Sequence, residues 1–303
     1  MSPGSRPSQG MRGASTRSTP TRTAAAPRMI RRRPRSCIMP TMPHPPSGEK
    51  HRDIVRASFD KQAVEFSASP VMTDAGALAR LVAWGRVTGT ERVLDVACGP
   101  GLVAAAFSPH VASVIGVDLT PAMLARGTAI VRERGIANVA FALADVERLA
   151  FPDGRFDRVV SRRAFHHFPD PARVLAETAR VCRPGGAVVI EDQAPPADPL
   201  AAEAMTTIDR LRDPSHTRAV APGAWEALCA ASGLELERVW QSSLELDFDE
   251  WITRAHPEPA DGARAREMLE SAARGEIPGL DAWHVGDTLR FTVGLQLVRA
   301  WRK

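Results

Sequence analysis

From about residue 51 onward, apolar and polar positions fall into segments that alternate between strand-like and helix-like spacing. Val93-Leu94-Asp95-Val96 is a short apolar run that leads through Ala97-Cys98-Gly99-Pro100-Gly101 into a helical pattern starting near Leu102. Four more strand-like runs follow at 112–117, 139–143, 156–161 and 187–190, the last behind the turn Arg183-Pro184-Gly185-Gly186. Pro121 suits the first turn of a helix over 122–134. Upstream, Ile54, Val55, Phe59, Ala63 and Phe66 recur at helical spacing and predict a helix over 51–67, with a second over 78–84. Downstream, the pattern predicts helices over 199–211 and 223–232, a strand over 234–243, helical segments within 249–274 and a strand over 289–301. Strands alternating with helices predict an α/β fold built on a parallel sheet.

The loop at 97–101 is the first place where chemistry shows. Glycines at 99 and 101 remove Cβ atoms that would hold a ligand off the main chain, and the helix behind them is expected to offer unpaired N–H groups to the same space. Gly99-x-Gly101-x-x-Ala104 also fits a dinucleotide fingerprint, with Asp118 as the ribose acid, so the loop alone leaves a nicotinamide-dependent oxidoreductase open. Polar groups then accumulate at the strand ends. Asp118 follows the second strand and Asp145 the third, while Arg162, His166 and His167 follow the fourth and Glu191-Asp192 the fifth. Open α/β sheets bind their ligands at that edge.

VLDVACGPG, VIGVDLTPAML, ALADVERLAFPDGRFDRVV and RVCRPGGAVVIED resemble, in order, the motifs of the class I S-adenosylmethionine-dependent methyltransferases. Within that family the chain looks like the group named after the ubiquinone/menaquinone biosynthesis enzymes, and the resemblance spans roughly residues 51–303. It implies a Rossmann-like α/β fold with a seven-stranded, mostly parallel sheet flanked by helices, in which the last strand inserts antiparallel beside the fifth. It also implies S-adenosyl-L-methionine as cofactor and a small-molecule acceptor methylated on oxygen, carbon or nitrogen. A non-catalytic cofactor-binding protein remains the other alternative.

The resemblance carries roles to particular residues. Asp95 supports the loop formed by Ala97, Cys98, Gly99 and Gly101 and reaches the cofactor's amino group, with Ala97 standing where the family usually has glycine. Asp118 takes the ribose hydroxyls, Asp145 and Val146 the adenine edge, and Leu119 and Met123 pack on the ring. Arg162 joins this set as a positioning or acceptor-binding residue. The bland readings are a capping acid for Asp118, a turn aspartate for Asp145, core filler for Leu119 and Met123, and a salt-bridged arginine for Arg162. His166 and His167 are candidate general bases beside the expected methyl, against a purely loop-fixing role. His216, in the charged segment 212–218, is a further candidate base, although charge runs are usually solvated faces.

Charge and composition qualify this picture. Nine of the 39 Lys and Arg residues, and no acid, lie in residues 1–48, so the remaining 30 bases face 35 acids, a formal balance of −5. The overall +4 therefore belongs to the N-terminal segment and gives no ground for a nucleic-acid partner. That segment, rich in Pro, Ser, Thr and Arg, is expected to be a disordered basic tail, with 49–303 as the catalytic domain. Within the domain, 91–192 is expected to hold the cofactor, and 51–85 and 193–287 to face the acceptor. Four cysteines show no zinc-like spacing, so no metal site is expected. No apolar run reaches the ~20 residues of a membrane span, and a cytoplasmic protein is expected. Tyrosine is absent, which excludes it as a base.

Overall fold

The computed structural model describes residues 38–39 and 49–303, and the expectation of a disordered tail otherwise lies outside them. Two residues of the span read as tail, β1 (Ile38–Met39), pair parallel to Phe141 and Ala142.

Alternation within the strands produces two buried layers. In β2 (Arg92–Val96), Val93 joins one cluster and Leu94 the other; Val159 and Val160 of β5 (Phe156–Arg162), and Val188 and Val189 of β6 (Cys182–Ala194), divide the same way. Both faces of the sheet are therefore apolar and must be covered. One is covered by α3 (Ala75–Gly85), α4 (Leu102–Phe107) and α5 (Pro121–Glu133), which contribute Leu81, Phe107 and Leu124. The other is covered by α6 (Pro171–Val181) and α8 (Trp225–Ala231), which contribute Leu175 and Trp225.

The strand order is β1-β4-β3-β2-β5-β6-β9-β7, where β3 is Ser113–Asp118, β4 Val139–Leu143, β7 Leu234–Asp247 and β9 Thr288–Arg302. The seven expected strands occupy this path from β4 to β7, and β9 lies antiparallel to both β6 and β7. The outer strands exceed their expected lengths, and β8 (Ala282–Val285) adds a pairing to β9 that the pattern did not announce. Arg183-Pro184-Gly185-Gly186 is a bulge rather than a separate turn: Cys182 pairs with Phe156, and pairing resumes with Ala187 against Arg158.

Two lobes stand over the carboxyl edge. α1 (Glu49–Ala68) and the short α2 (Pro70–Thr73) bring Phe66 and Met72 against Leu102 and Ile130. On the other side α7 (Pro199–Arg212), α9 (Phe248–Thr253) and α10 (Pro259–Ala273) pack with the projecting ends of β7 and β9 around Met205, Trp251, Leu269 and Phe291.

The loop after β2 is held in the left-handed region at three positions: Ala97 (φ 53°), Gly99 (52°) and Gly101 (71°). At Gly101 a Cβ would stand 2.4 Å from the Phe141 ring, so core packing, and not a ligand, forbids a side chain there. Ala97 carries a Cβ in a conformation that disfavours one by about 1–2 kcal/mol. Ala97→Gly is therefore expected to stabilise the protein by about 0.5–1 kcal/mol, after allowing for the extra chain entropy of glycine, whereas Gly101→Ala should destabilise it by more than 2 kcal/mol. Urea unfolding of both variants checks this, and a destabilised Ala97→Gly would count against strain at that position.

Candidate active site

A cavity opens at the carboxyl ends of β2, β3 and β5. Ala97, Cys98, Gly99, Asp118, Leu119, Met123, Asp145, Val146, Arg162 and His167 all line it. Asp95, Gly101, His166 and His216 do not. Helix α1 closes the cavity with Val55, Phe59 and Phe66, and adds His51 and Arg52, which the apolar stripe gave no reason to single out.

The loop meets the cavity differently from the expectation. Its N–H groups are engaged internally: Cys98 donates to Val117 O (2.9 Å), Gly99 to Asp118 Oδ2 (2.8 Å) and Gly101 to Cys98 O (3.0 Å). α4 has six residues, and its Ala104 N–H already donates to Asp95 Oδ2 (3.0 Å). What the loop offers is bare surface. A Cβ on Gly99 would meet only Met123 Sδ and Phe66 Cε1, each at 3.9 Å, so its absence leaves space between two cavity walls.

Asp95 lies beneath the loop, and burial pushes its carboxyl up to about 8. Its Oδ1 is buried with no hydrogen-bond partner among the described residues. Asp118 receives Gly99 N on one oxygen and Thr120 N (2.9 Å) on the other, and burial still raises its pKa. Asp145 accepts the Glu147 N–H (2.9 Å) and forms an ion pair with Arg52, so the acid assigned to adenine also anchors α1. Arg162 is committed on three sides: to Glu191 Oε1 (2.9 Å), Met72 O (2.9 Å) and Val71 O (3.4 Å). It ties α2 to β6.

The three histidines converge although His216 is far along the chain. Ring centroids lie 4.2 Å apart for His166 and His167 and 4.9 Å apart for His166 and His216. Their surroundings separate them. His166 Nδ1 donates to Asp192 Oδ1 (2.5 Å) and its backbone N–H to Oδ2 (2.9 Å), which fixes the turn after β5. His216 borders a different small cavity, with Nε2 3.3 Å from Asp209. Burial lowers the His216 pKa, with the neighbouring histidines adding to the effect.

His167 alone of the three reaches the large cavity, stacked edge-on against Phe59 at 4.9 Å. Its Nδ1 lies 2.9 Å from Ser215 Oγ, and Ser215 Oγ lies 2.6 Å from Asp213 Oδ1. Asp213 is held well below the usual carboxylate range despite its burial, with the Ser215 hydroxyl, Arg212 and the Ser215 backbone N–H favouring the anion. An ionised Asp213 only accepts, so the single hydroxyl proton of Ser215 points to it, and His167 must carry its proton on Nδ1. Nε2 is then the acceptor nitrogen. Burial, aided by His166, lowers the His167 pKa to about 3, which keeps the ring neutral.

Arg163 is the site residue that sequence reasoning missed. It lines the cavity, has φ 57°, and shares Glu191 with Arg162. Nothing in an Arg-Arg pair at a strand end signals a left-handed residue. Among the described residues no group of three or more His, Cys, Asp or Glu side chains is placed to hold a metal ion, and no helix is long and apolar enough to cross a membrane.

Comparison with known proteins gives this arrangement a family. A methyltransferase-domain profile matches residues 94–190, the segment from β2 to β6 that carries the loop and the acids. An uncharacterised methyltransferase of Bacillus subtilis, YcgJ, is 35% identical over 203 residues, which is 67% of this chain and 80% of that protein. Its crystal structure superposes with a TM-score of 0.71 at 29% identity, covering 75% of this chain and 98% of the other. A putative methyltransferase from Bacillus halodurans gives 0.70 at 30% identity, covering 75% and 99%. A likeness that runs through nearly the whole of these proteins, sheet and lobes together, makes the chain a member of the class I S-adenosylmethionine-dependent methyltransferases.

Proposed function

We propose that this cavity holds S-adenosylmethionine and that the methyl group passes to a small organic acceptor seated against His167, with S-adenosylhomocysteine as the other product. The observation that carries this reading is the His167–Ser215–Asp213 chain, which leaves an acceptor nitrogen on a residue of the cavity wall. The residues present fit the cofactor. Gly99 leaves its Cβ space open between Phe66 and Met123, and Asp118 stands at the end of β3, where ribose hydroxyls would reach a carboxylate. Leu119 and Met123 supply apolar walls for the adenine, and Asp145 and Val146 its polar edge. Asp95 is given the support of the loop, since it lies outside the cavity wall.

When bound, the cofactor supplies a methyl group already activated as a sulfonium. The protein's task is to align the acceptor and exclude water, and such positioning is worth ~7–11 kcal/mol. Phe59, Phe66 and Val55 of α1 cover the cavity, and Arg162 and Arg52 hold the lobe down through Val71, Met72 and Asp145. His167 Nε2 accepts the proton of an acceptor hydroxyl or phenol as the methyl transfers, and Ser215 with Asp213 holds the tautomer that presents Nε2. His166 braces the turn that carries His167.

Incubation with methyl-labelled S-adenosylmethionine and a metabolite extract, followed by mass spectrometry, tests the reading by the appearance of a labelled product with S-adenosylhomocysteine. A calorimetric comparison with NAD separates it from an oxidoreductase, and binding of NAD alone would overturn it.

Asp118→Ala is expected to weaken S-adenosylhomocysteine binding roughly 10- to 100-fold, since losing a charged hydrogen-bond partner costs ~1.5–3 kcal/mol. Calorimetry on a folded variant with unchanged affinity would remove Asp118 from the ribose role.

His167→Ala is expected to lower turnover ~10²- to 10⁴-fold at neutral pH with cofactor affinity intact, the deficit shrinking at high pH as the acceptor ionises unaided. Stability offers a second readout. A folded-state pKa of about 3 against the ordinary 6.5 means that the unfolded chain binds the proton more readily between these values. Stability should therefore fall as pH drops from 6.5 toward 3, with this histidine contributing up to ~1.4 kcal/mol per pH unit. Denaturant unfolding across that window should show a shallower slope for His167→Gln; equal slopes would mean that His167 is not held neutral.

A further inference from the structure

We propose that the acceptor carries an oxyanion, a carboxylate or a phosphate, which docks on Arg163 in a second, polar cavity alongside the first. The inference rests on the methyl-transfer reading and names the class of its acceptor. The second cavity shares Phe59, Phe66, Arg163 and His167 with the first. An acceptor whose nucleophile meets His167 therefore extends its remaining groups toward this space.

Three guanidinium groups line the second cavity, from Arg163, Arg212 and Arg254, against one carboxylate, Asp213. That carboxylate is fully occupied, since it accepts from Gln62 Nε2 (3.1 Å), Ser215 N (2.9 Å) and Ser215 Oγ (2.6 Å). The acids that offset the arginines are not among the walls: Glu191 sits behind Arg163, and Glu250 behind Arg254. The surface a ligand meets is cationic.

Arg163 is also short of partners. Its side chain is 9% exposed, and Glu191, the acid it reaches, is already bonded by Arg162 Nε at 2.9 Å. Arg163 Nε stands 3.5 Å from the same oxygen and makes no closer hydrogen bond among the described residues. Two guanidinium groups thus share one carboxylate. Arg254, another wall of this cavity and 5% exposed, donates from Nη1 to Ser69 Oγ (2.5 Å) and Glu250 Oε1 (2.8 Å), while its Nε is buried with no partner among the described residues. Arg212 donates to Trp251 O (3.0 Å) and lies over the Trp251 ring.

Buried donors left unpaired cost free energy, and a left-handed arginine adds strain. The Arg163 N–H donates to Glu191 O at 2.7 Å, which holds that backbone geometry in place. An oxyanion bound in this cavity would accept from the guanidinium groups of Arg163 and Arg254 that line it. Arginine stays charged when buried and matches carboxylate or phosphate through its fork of donors.

The test uses full-length protein saturated with S-adenosylhomocysteine and titrated at low salt with malonate in one arm and inorganic phosphate in the other, followed by NMR line shifts or thermal stabilisation. Saturable binding in at least one arm is expected, and the arm that binds identifies the oxyanion. Arg163→Gln should weaken it at least tenfold, Arg163→Lys about 3- to 10-fold because the fork is lost, and the exposed Arg218→Gln not at all. Glutamine adopts φ 57° no less readily than arginine, so the variant adds no backbone strain. The proposal is overturned if neither anion binds saturably, or if the Lys variant binds as wild type; should Arg163→Gln fail to fold, the Lys variant decides. Binding of S-adenosylhomocysteine is measured first and the anion titrations are repeated on ligand-free protein, so failure of the cofactor reading is seen separately.

Discussion

The site depends on how buried carboxylates at the carboxyl edge of the sheet are compensated. Asp95, Glu191 and Asp192 are each 4% exposed or less, and an ionised group at such depth carries a penalty of several kcal/mol unless partners surround it. Each partner turns out to be a part of the site. Asp95 holds the first turn of α4 through Ala104, Glu191 holds Arg162 and through it the carbonyls of α2, and Asp192 fixes His166 twice. Asp118, at the end of β3, pins Gly99 in the same manner. The loop, the lobe above it and the histidine turn are therefore held by hydrogen bonds and ion pairs to acidic side chains that the strands carry into the interior.

That dependence explains why the lobes need not be rigid units of their own. α2 is four residues long, too short to be stable alone, and it contributes through its carbonyls, which accept from Arg162. α1 meets the edge through Arg52 on Asp145 and through His51 Nε2, which donates to His167 O at 2.8 Å. A ligand that competes for Asp145 would loosen one of these ties while burying Phe59 and Phe66 against itself, which couples occupancy of the cavity to the seating of α1.

The fold was legible where burial imposes a period. Five strands buried on both faces read as apolar runs, and β4, for one, lies where its run places it. Elements outside that rule were not legible: β8 is half exposed at the sheet's margin, and α2 is shorter than any helical period. The cavity followed the same division. Ten of the fourteen expected site residues line it, because strand ends and loop glycines announce themselves in the order of the chain. Gly101 shows the limit of that signal, since sequence cannot tell a glycine that makes room for a ligand from one that makes room for Phe141.

What sequence could not supply was the ranking of like residues by their surroundings. His166, His167 and His216 are equivalent as letters, and only contacts from distant segments distinguish them: Asp192 occupies the first, Ser215 orients the second, and Asp209 faces the third. The same holds for the arginines. Arg162 and Arg163 are adjacent, yet the first lies in strand register opposite Glu191 and takes the better hydrogen bond. The second, turned into the left-handed region, lines both cavities, with its Nε lacking a partner among the described residues. A change of one residue in register along a strand thus separates a tie that holds the lobe from a guanidinium that lines both cavities.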